Sequence, residues 1–493
     1  MFRKYLENES NLTRTENLAR AYKSTKSKVL DLFGLGGSAL QKTNLELEGM
    51  VAEAFNENPM LAARVVFYLG DVRGGQGVRK VFKVGLKVIM NRYPEIIEDL
   101  IELIPEYTRW DMLYEFVGTK CEEYAFYIMR RVAFHADRER KNHLIFKWLK
   151  SPKTSSKEST RLGRLTAKYF GMTEKQYRKF LARNRARMNI VERKMSSQDW
   201  DGIDYSAVPS KASLQYREAF KRHDGYRYEQ YIERVNRGEE KMNMNVTYPH
   251  EIVNKYTNGH WIYSPQEFDP VLEAAWKSLP VYNGHGNILT IADVSGSMSS
   301  KVNSQSSVSC MDVSIALAIY TAENNVGEFN NIFMTFSENP ELIQINERDS
   351  LRDKLVRVAN SEWGVNTNID RAFDLILRTA VRNNVPREEL PETVLIISDM
   401  QFDECSNIDK ANYDHWKENF ANHGYALPQI VFWQVSTRSN VPVQYSQSGA
   451  AIVSGFSPSI LKFIYENKIV NPFEFMLEVV MTERYDAVGD LFE

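Results

Sequence analysis

The chain has 493 residues and a hydrophobic content of 43%, enough for two or three domains with sizeable cores. Its formal net charge of −2 excludes both a uniformly basic nucleic-acid binder and an acidic tail protein. Cys121, Cys310 and Cys405 are far apart and odd in number, which argues against a disulfide framework or a cysteine zinc site and for a reducing, cytoplasmic setting.

The first residues, Met-Phe-Arg-Lys-Tyr-Leu-Glu, lack the apolar core of a signal peptide, and no run of about 18 apolar residues follows, so no membrane association is expected. Residues 1–140 read as helix after helix: Asn44–Phe55, Met60–Leu69 behind Asn58-Pro59, Val78–Met90, Pro94 to Leu103 with Pro105 as its stop, Trp110–Phe116 and Cys121–His135. Short helices joined by tight turns predict an α-solenoid of HEAT type, open or closed into a ring. Asp71-Val72-Arg73-Gly74-Gly75-Gln76-Gly77 is read as a turn. It lacks the Gly-Lys-Ser/Thr of a phosphate loop and joins helix to helix.

A polar linker at 151–160 leads to a basic helix, Arg161–Phe170, and to another that begins at Thr173. Charge is distributed unevenly: residues 138–222 carry 22 Lys+Arg against 8 Asp+Glu, and residues 286–493 carry 15 against 28. The basic region 138–245, interleaved with Tyr and Phe, is a candidate RNA-binding surface, since cations neutralise phosphates and aromatic rings stack on unpaired bases. Lys168, Arg178, Lys179, Arg183, Arg185, Arg187, Arg193 and Lys194 are the candidate phosphate contacts. Helices at Pro249–Asn258 and Trp261–Trp276 lead out of this first domain, 1–285.

From residue 286 to 493 strands and helices alternate: Ile288–Ala292, helix Met311–Glu323, Ile332–Phe336 with Leu342–Ile345 as its neighbour, helices Asp349–Ala359 and Ile369–Val381, Val394–Ser398, helix Ile408–Asn422, Gln429–Val435 and Ala450–Val453, then two closing helices. This alternation predicts a doubly wound, mainly parallel sheet. The overall class is thus an α-solenoid or ring followed by a Rossmann-like α/β domain.

The apolar run Ile288–Ala292 ends in Asp293-Val294-Ser295-Gly296-Ser297, which delivers one carboxylate and two hydroxyls at alternate positions to a strand end. Hard oxygen donors of this kind suit Mg²⁺ or Mn²⁺. The Asp-x-Ser-x-Ser pattern resembles the metal-ion-dependent adhesion site (MIDAS) of von Willebrand factor A (vWA) domains. That resemblance implies two further ligands downstream. Thr367, in a Gly-containing loop before a helix, and Asp399, at the end of a second apolar strand, match them.

A helical half followed by such a domain is similar to the Ro autoantigen family, whose TROVE module is a ring of HEAT-like helices closed by a vWA domain. Ala21-Tyr22-Lys23-Ser24-Thr25-Lys26, the Asp71–Arg79 segment, Ile104–Asp111 and Tyr248-Pro249-His250-Glu251-Ile252-Val253 carry the likeness, which is strongest to a Ro-like branch of uncharacterised proteins. It implies a nonenzymatic ribonucleoprotein component that holds small noncoding or defective single-stranded RNA. The competing reading is a scaffold whose vWA metal binds an acidic side chain of a protein partner, without RNA. An enzyme is not expected: no nucleophile elbow or Ser/His/Asp order accompanies the carboxylates, and the eight histidines are scattered.

Overall fold

The computed structural model describes residues 10–493 except 189, 262–264, 283–286, 337–338, 362, 364–367, 405–411 and 467. The chain opens on a small hairpin, β1 (Leu12–Arg14) antiparallel to β2 (Arg20–Tyr22), where helix was expected. The reason is long-range. Tyr22 bridges to Val441 and Leu18 to Asp403, so the hairpin's partners lie about 400 positions away, beyond any local periodicity.

Helices follow: α1 (Lys28–Gly36), α2 (Asn44–Glu57), α3 (Pro59–Gly70), α4 (Arg79–Arg92), α5 (Ile97–Tyr107), a 3₁₀ segment (Trp110–Phe116), α6 (Glu122–Arg138), α7 (Ile145–Trp148), α8 (Lys157–Tyr169), α9 (Glu174–Arg187), α10 (Val191–Ser196), α11 (Ser210–Asn236), α12 (Pro249–Thr257) and α13 (Pro270–Lys277). Caps fix several of the starts. Thr43 with Glu46 and Thr173 with Gln176 form reciprocal capping boxes, and Asn58 caps α3 with Pro59 at its first position.

Two expectations are corrected here. Pro105 does not end α5 but sits in its last turns, where the backbone N–H and hydroxyl of Thr108 both return to the Ile104 carbonyl at 2.9 Å. The helix expected over Trp261–Trp276 starts only at Pro270, behind the Asp269 cap.

The second half contributes β3 (Ile288–Asp293), α14 (Cys310–Asn324), β4 (Ile332–Phe336), β5 (Glu341–Gln344), α15 (Leu351–Ala359), α16 (Ile369–Asn383), β6 (Thr393–Ser398), α17 (Asn412–Asn422), β7 (Gln429–Gln434), β8 (Ala450–Ser454), α18 (Leu461–Glu466), α19 (Pro472–Val480) and α20 (Asp486–Gly489). The sheet runs β5-β4-β3-β6-β7-β8, parallel except for the edge strand β5, which pairs antiparallel with β4. This is the doubly wound order, with β3 and β6 side by side where the winding reverses. Both are buried along their whole length, as apolar strands covered on two faces must be.

The two halves interlock. The α1 backbone closes on β8: the amide of Gly37 donates to Ser454 Oγ at 2.8 Å, and a Cβ at Gly37 would fall 2.2 Å from the Ser454 carbonyl oxygen. Buried Arg64 of α3 pairs with Asp486 of α20 at 2.9 Å. Asp71, fully buried, receives the Arg484 guanidinium and the Tyr485 hydroxyl. The Gly74–Gly77 stretch is a turn within this joint. Gln76 donates to the Tyr68 hydroxyl at 2.8 Å and accepts from the Ser457 amide at 3.3 Å.

At the other end of the solenoid, α12 packs on α14. Buried Asp312 accepts from Asn254 Nδ2 (3.0 Å), Thr257 Oγ1 (2.6 Å) and Trp261 Nε1 (2.9 Å). The Tyr248 hydroxyl then donates to the Gln76 carbonyl at 3.2 Å, so the last helices of the first half meet the early ones. Both ends of the helical half therefore meet the α/β unit, and one hydrogen bond links them to each other. Among the described residues no helix is long and apolar enough to cross a membrane.

Candidate functional site

In open α/β sheets ligands bind beyond the carboxyl ends of the strands at the point where the winding reverses. Here that point lies between β3 and β6. Their register aligns Ala292 with Ile397, so Asp293 lies level with Ser398 and one residue short of Asp399. The Ser398 hydroxyl donates to Asp293 Oδ2 at 2.6 Å, and the Ser295 amide donates to Asp293 Oδ1 at 2.9 Å. Ser295 and Ser297 have their hydroxyls 3.2 Å apart in the short 3₁₀ turn after β3. Asp399 accepts from the Gln401 amide at 3.1 Å and interacts with Ser297.

Four of the five expected metal-site side chains thus converge, while Thr367 lies outside the described residues. Asp293 is fully buried and Asp399 nearly so. Burial, and secondly the neighbouring Asp399, pushes the Asp293 carboxyl up to about 7, against the pull of the Ser295 and Ser398 bonds. Burial raises Asp399 as well. Two carboxylates withdrawn from water side by side resist ionisation, and a divalent cation between them reverses that preference.

The donor set fits a hard cation: two carboxylates and two hydroxyls, all oxygen. Among the described residues no three His, Cys, Asp or Glu side chains are grouped to hold a metal, so hydroxyls and water must complete any coordination. Met400, buried, adopts a left-handed backbone (φ 60°) directly after Asp399. That conformation is costly for a side-chain-bearing residue and aims the loop that carries Asp399.

The rim contains residues that sequence reasoning missed. Ser398 was visible as the one polar end of an apolar strand. Arg438, in the loop after β7, and Glu16 of the hairpin turn carry no sequence signal, being 422 positions apart. They nonetheless form a two-pronged ion pair, and the Glu16 amide donates to Gln401 Oε1 at 2.8 Å. The Thr15 hydroxyl donates to the Phe402 carbonyl at 2.7 Å. The hairpin thereby straps the loop that follows Asp399. Cys310 is buried nearby, its thiol pushed up to about 12 by desolvation.

The eight candidate RNA contacts divide sharply. Arg185 is committed to the fold: it donates to the Phe146 carbonyl (2.8 Å), Ser151 Oγ (2.9 Å) and the Leu149 carbonyl (2.6 Å). Arg183 and Arg187 pair with Asp137 at 2.5 and 3.2 Å. Arg193 donates to the Ala186 carbonyl at 2.7 Å and Lys194 to that of Gly202. Lys168 on α8 and Arg178 and Lys179 on α9 are exposed, and none forms an ion pair with another described residue.

Comparison with known proteins gives matches along most of the chain. Residues 287–487 match the family described as "Domain of unknown function (DUF7788)". Residues 15–106 and 143–281 match "Domain of unknown function (DUF2828)". The chain is 27% identical over 524 residues to "Uncharacterized protein L728" of Acanthamoeba polyphaga mimivirus, with 96% of this chain and 87% of that protein covered. Among solved structures it resembles the Deinococcus radiodurans RO (RSR) protein at a TM-score of 0.49 and 15% identity, over 93% of this chain and 99% of that one.

Proposed function

We propose that this protein is a nonenzymatic RNA-binding protein of Ro type, with a divalent-cation site on its α/β unit. Small structured or single-stranded RNA lies on the basic face of α8 and α9. The observation that carries the reading is the trio Lys168, Arg178 and Lys179, cations left exposed and without an ion pair to another described residue, whereas Arg185 and Arg187 are bonded within the fold. The contact of both ends of the helical half with the α/β unit supports it, because the sequence resemblance implies such an arrangement.

Fluorescence anisotropy with single-stranded RNA at about 50 and 200 mM salt tests this, since phosphate contacts release counterions and make affinity fall steeply with salt. Arg178→Glu with Lys179→Glu is expected to abolish most of the binding. Absence of binding by the unaltered protein at low salt sinks the proposal.

A second reading has its own observation, the pair of buried carboxylates. Asp293, Ser295, Ser297 and Asp399, with Thr367, would hold Mg²⁺ or Mn²⁺, and the ion would supply a Lewis-acidic position for the carboxylate of a protein partner. Asp293→Ala then abolishes capture of that partner and leaves RNA affinity unchanged. A metal-dependent phosphodiester cleavage lost in the same variant would instead make the protein an enzyme.

A further inference from the structure

We infer that the end of α6 and the turn after it form a pocket for one unpaired nucleotide of single-stranded RNA, with the base against His143 and the phosphate at Arg138 and Lys141. This rests on the RNA-binding reading and supplies its missing specificity element.

The cleft has a volume of about 590 Å³ and is lined by Arg131, Phe134, His135, Arg138, Lys141 and His143, together with Val132 and Ala136. Among the described residues no carboxylate lines it. The nearest acid on the helix, Asp137, is already paired with Arg183 and Arg187, and Arg131 and Arg138 have half-exposed partners in Glu102 and Glu139. A cleft with an apolar floor and a cationic rim matches a nucleotide, which has a flat aromatic base and an anionic phosphate.

His143 is a planar ring of the cleft lining that a base could stack on. It is braced edge-on by Trp110, centroids 5.6 Å apart at 65°. Its Nδ1 accepts from the Ile145 amide at 3.2 Å, which leaves the neutral ring's proton on Nε2 as a donor. Burial, and then neighbouring His135, lowers its pKa.

A second observation is independent of the cleft. Arg140 holds φ 51° at the position after α6 where a helix normally places glycine. The Lys141 amide reaches back to the Ala136 carbonyl (2.9 Å) and the Arg140 amide to that of Asp137 (3.1 Å), closing the helix end. This closed turn fixes the place of Lys141 at the edge of the cleft.

The experiment uses the full chain and a fluorescein-labelled single-stranded oligoadenylate with one 2-aminopurine. In the unaltered protein, binding quenches the 2-aminopurine. Lys141→Glu, an exposed change, is expected to weaken binding about tenfold. His143→Ala loses the quench and about five- to tenfold in affinity with the salt slope unchanged, and His143→Phe restores the quench, because stacking needs only a planar ring.

Competition with free AMP separates the sources. Displacement by AMP at concentrations matching the oligonucleotide's Kd, per nucleotide, means a free nucleotide is the ligand and overturns the RNA assignment. RNA binding undiminished in both Lys141→Glu and His143→Ala overturns the pocket but leaves the basic face standing. No RNA binding by the unaltered protein overturns both.

Discussion

The strand-end site and the basic helical face differ in how sequence relates to position. At the β3–β6 junction a residue's place in the strand fixes where its side chain goes: Asp293 ends one buried strand and Asp399 follows its neighbour, so both reach the same point. On α9 the same residue type does opposite jobs about two turns apart. Arg185 is sunk into the 146–151 segment while Arg178 faces solvent. Charge counted along a chain therefore overstates what a surface can offer, whereas a carboxylate at a strand end is already where ligands bind.

The largest expected effect breaks the basic face into its two parts. Arg185→Ala strips three acceptors of their donor in a partly buried site, and each acceptor left without a partner costs about 1–3 kcal/mol. A loss of about 3 kcal/mol or more in urea unfolding is expected. Arg185→Lys does not rescue it, because an ammonium cannot span the fork. A change below about 1 kcal/mol shows that Arg185 belongs with the surface group after all.

The strand-end site is sharpened by metal and pH. Saturating Mg²⁺ or Mn²⁺ at about 100 times its Kd should add about 2.7 kcal/mol of stability. Asp293→Asn should abolish that gain. It should also stabilise the metal-free protein, by removing one of two buried carboxyls that oppose each other. Equal gains in variant and unaltered protein place the ion elsewhere.

The pH dependence has a defined sign. Asp293 is raised from its ordinary value near 3.8 to about 7, so the folded chain keeps a proton that the unfolded chain releases. Its stabilising share is full below about 4 and is lost as pH climbs through about 7. Thermal midpoints of metal-free protein across pH 4–8 test this, and Mg²⁺ should flatten the fall.

Lys168→Ala, Arg178→Ala and Lys179→Ala combined give a smaller effect on the same comparison. If all three meet phosphates, the slope of log affinity against log salt should drop by about 2, at about 0.7 per single-strand contact. Stability should change by no more than about 0.5 kcal/mol per site. Arg183→Ala, which removes only an exposed ion pair to Asp137, should cost under about 1 kcal/mol.

What sequence made legible follows the same division. The α/β order, the pairing of a strand near Leu342–Ile345 with Ile332–Phe336 and the convergence of Asp293, Ser295, Ser297 and Asp399 are encoded in apolar runs with polar ends, which are local signals, whereas the antiparallel direction of that edge strand was not legible. The β1–β2 hairpin, the Glu16–Arg438 pair and the Asp71–Arg484 joint were not legible, because each depends on a partner hundreds of residues away. The commitment of Arg185 was hidden for a related reason: its acceptors are backbone carbonyls, which every residue possesses.

The smallest effect is the most discriminating, because stability and binding should move in opposite directions. Arg140 carries a left-handed φ of 51° at the end of α6, where glycine has no Cβ to be crowded. Arg140→Gly should gain about 0.5–1 kcal/mol from relief of that conformation, less a few tenths for the freer unfolded chain. The same change removes one cation from the turn that carries Lys141 and should weaken RNA binding about two- to threefold at low salt. Urea unfolding and anisotropy on one preparation measure both. A variant that is more stable and binds as well as before means that the left-handed turn serves only the path of the chain into α7 and that Arg140 has no part in binding.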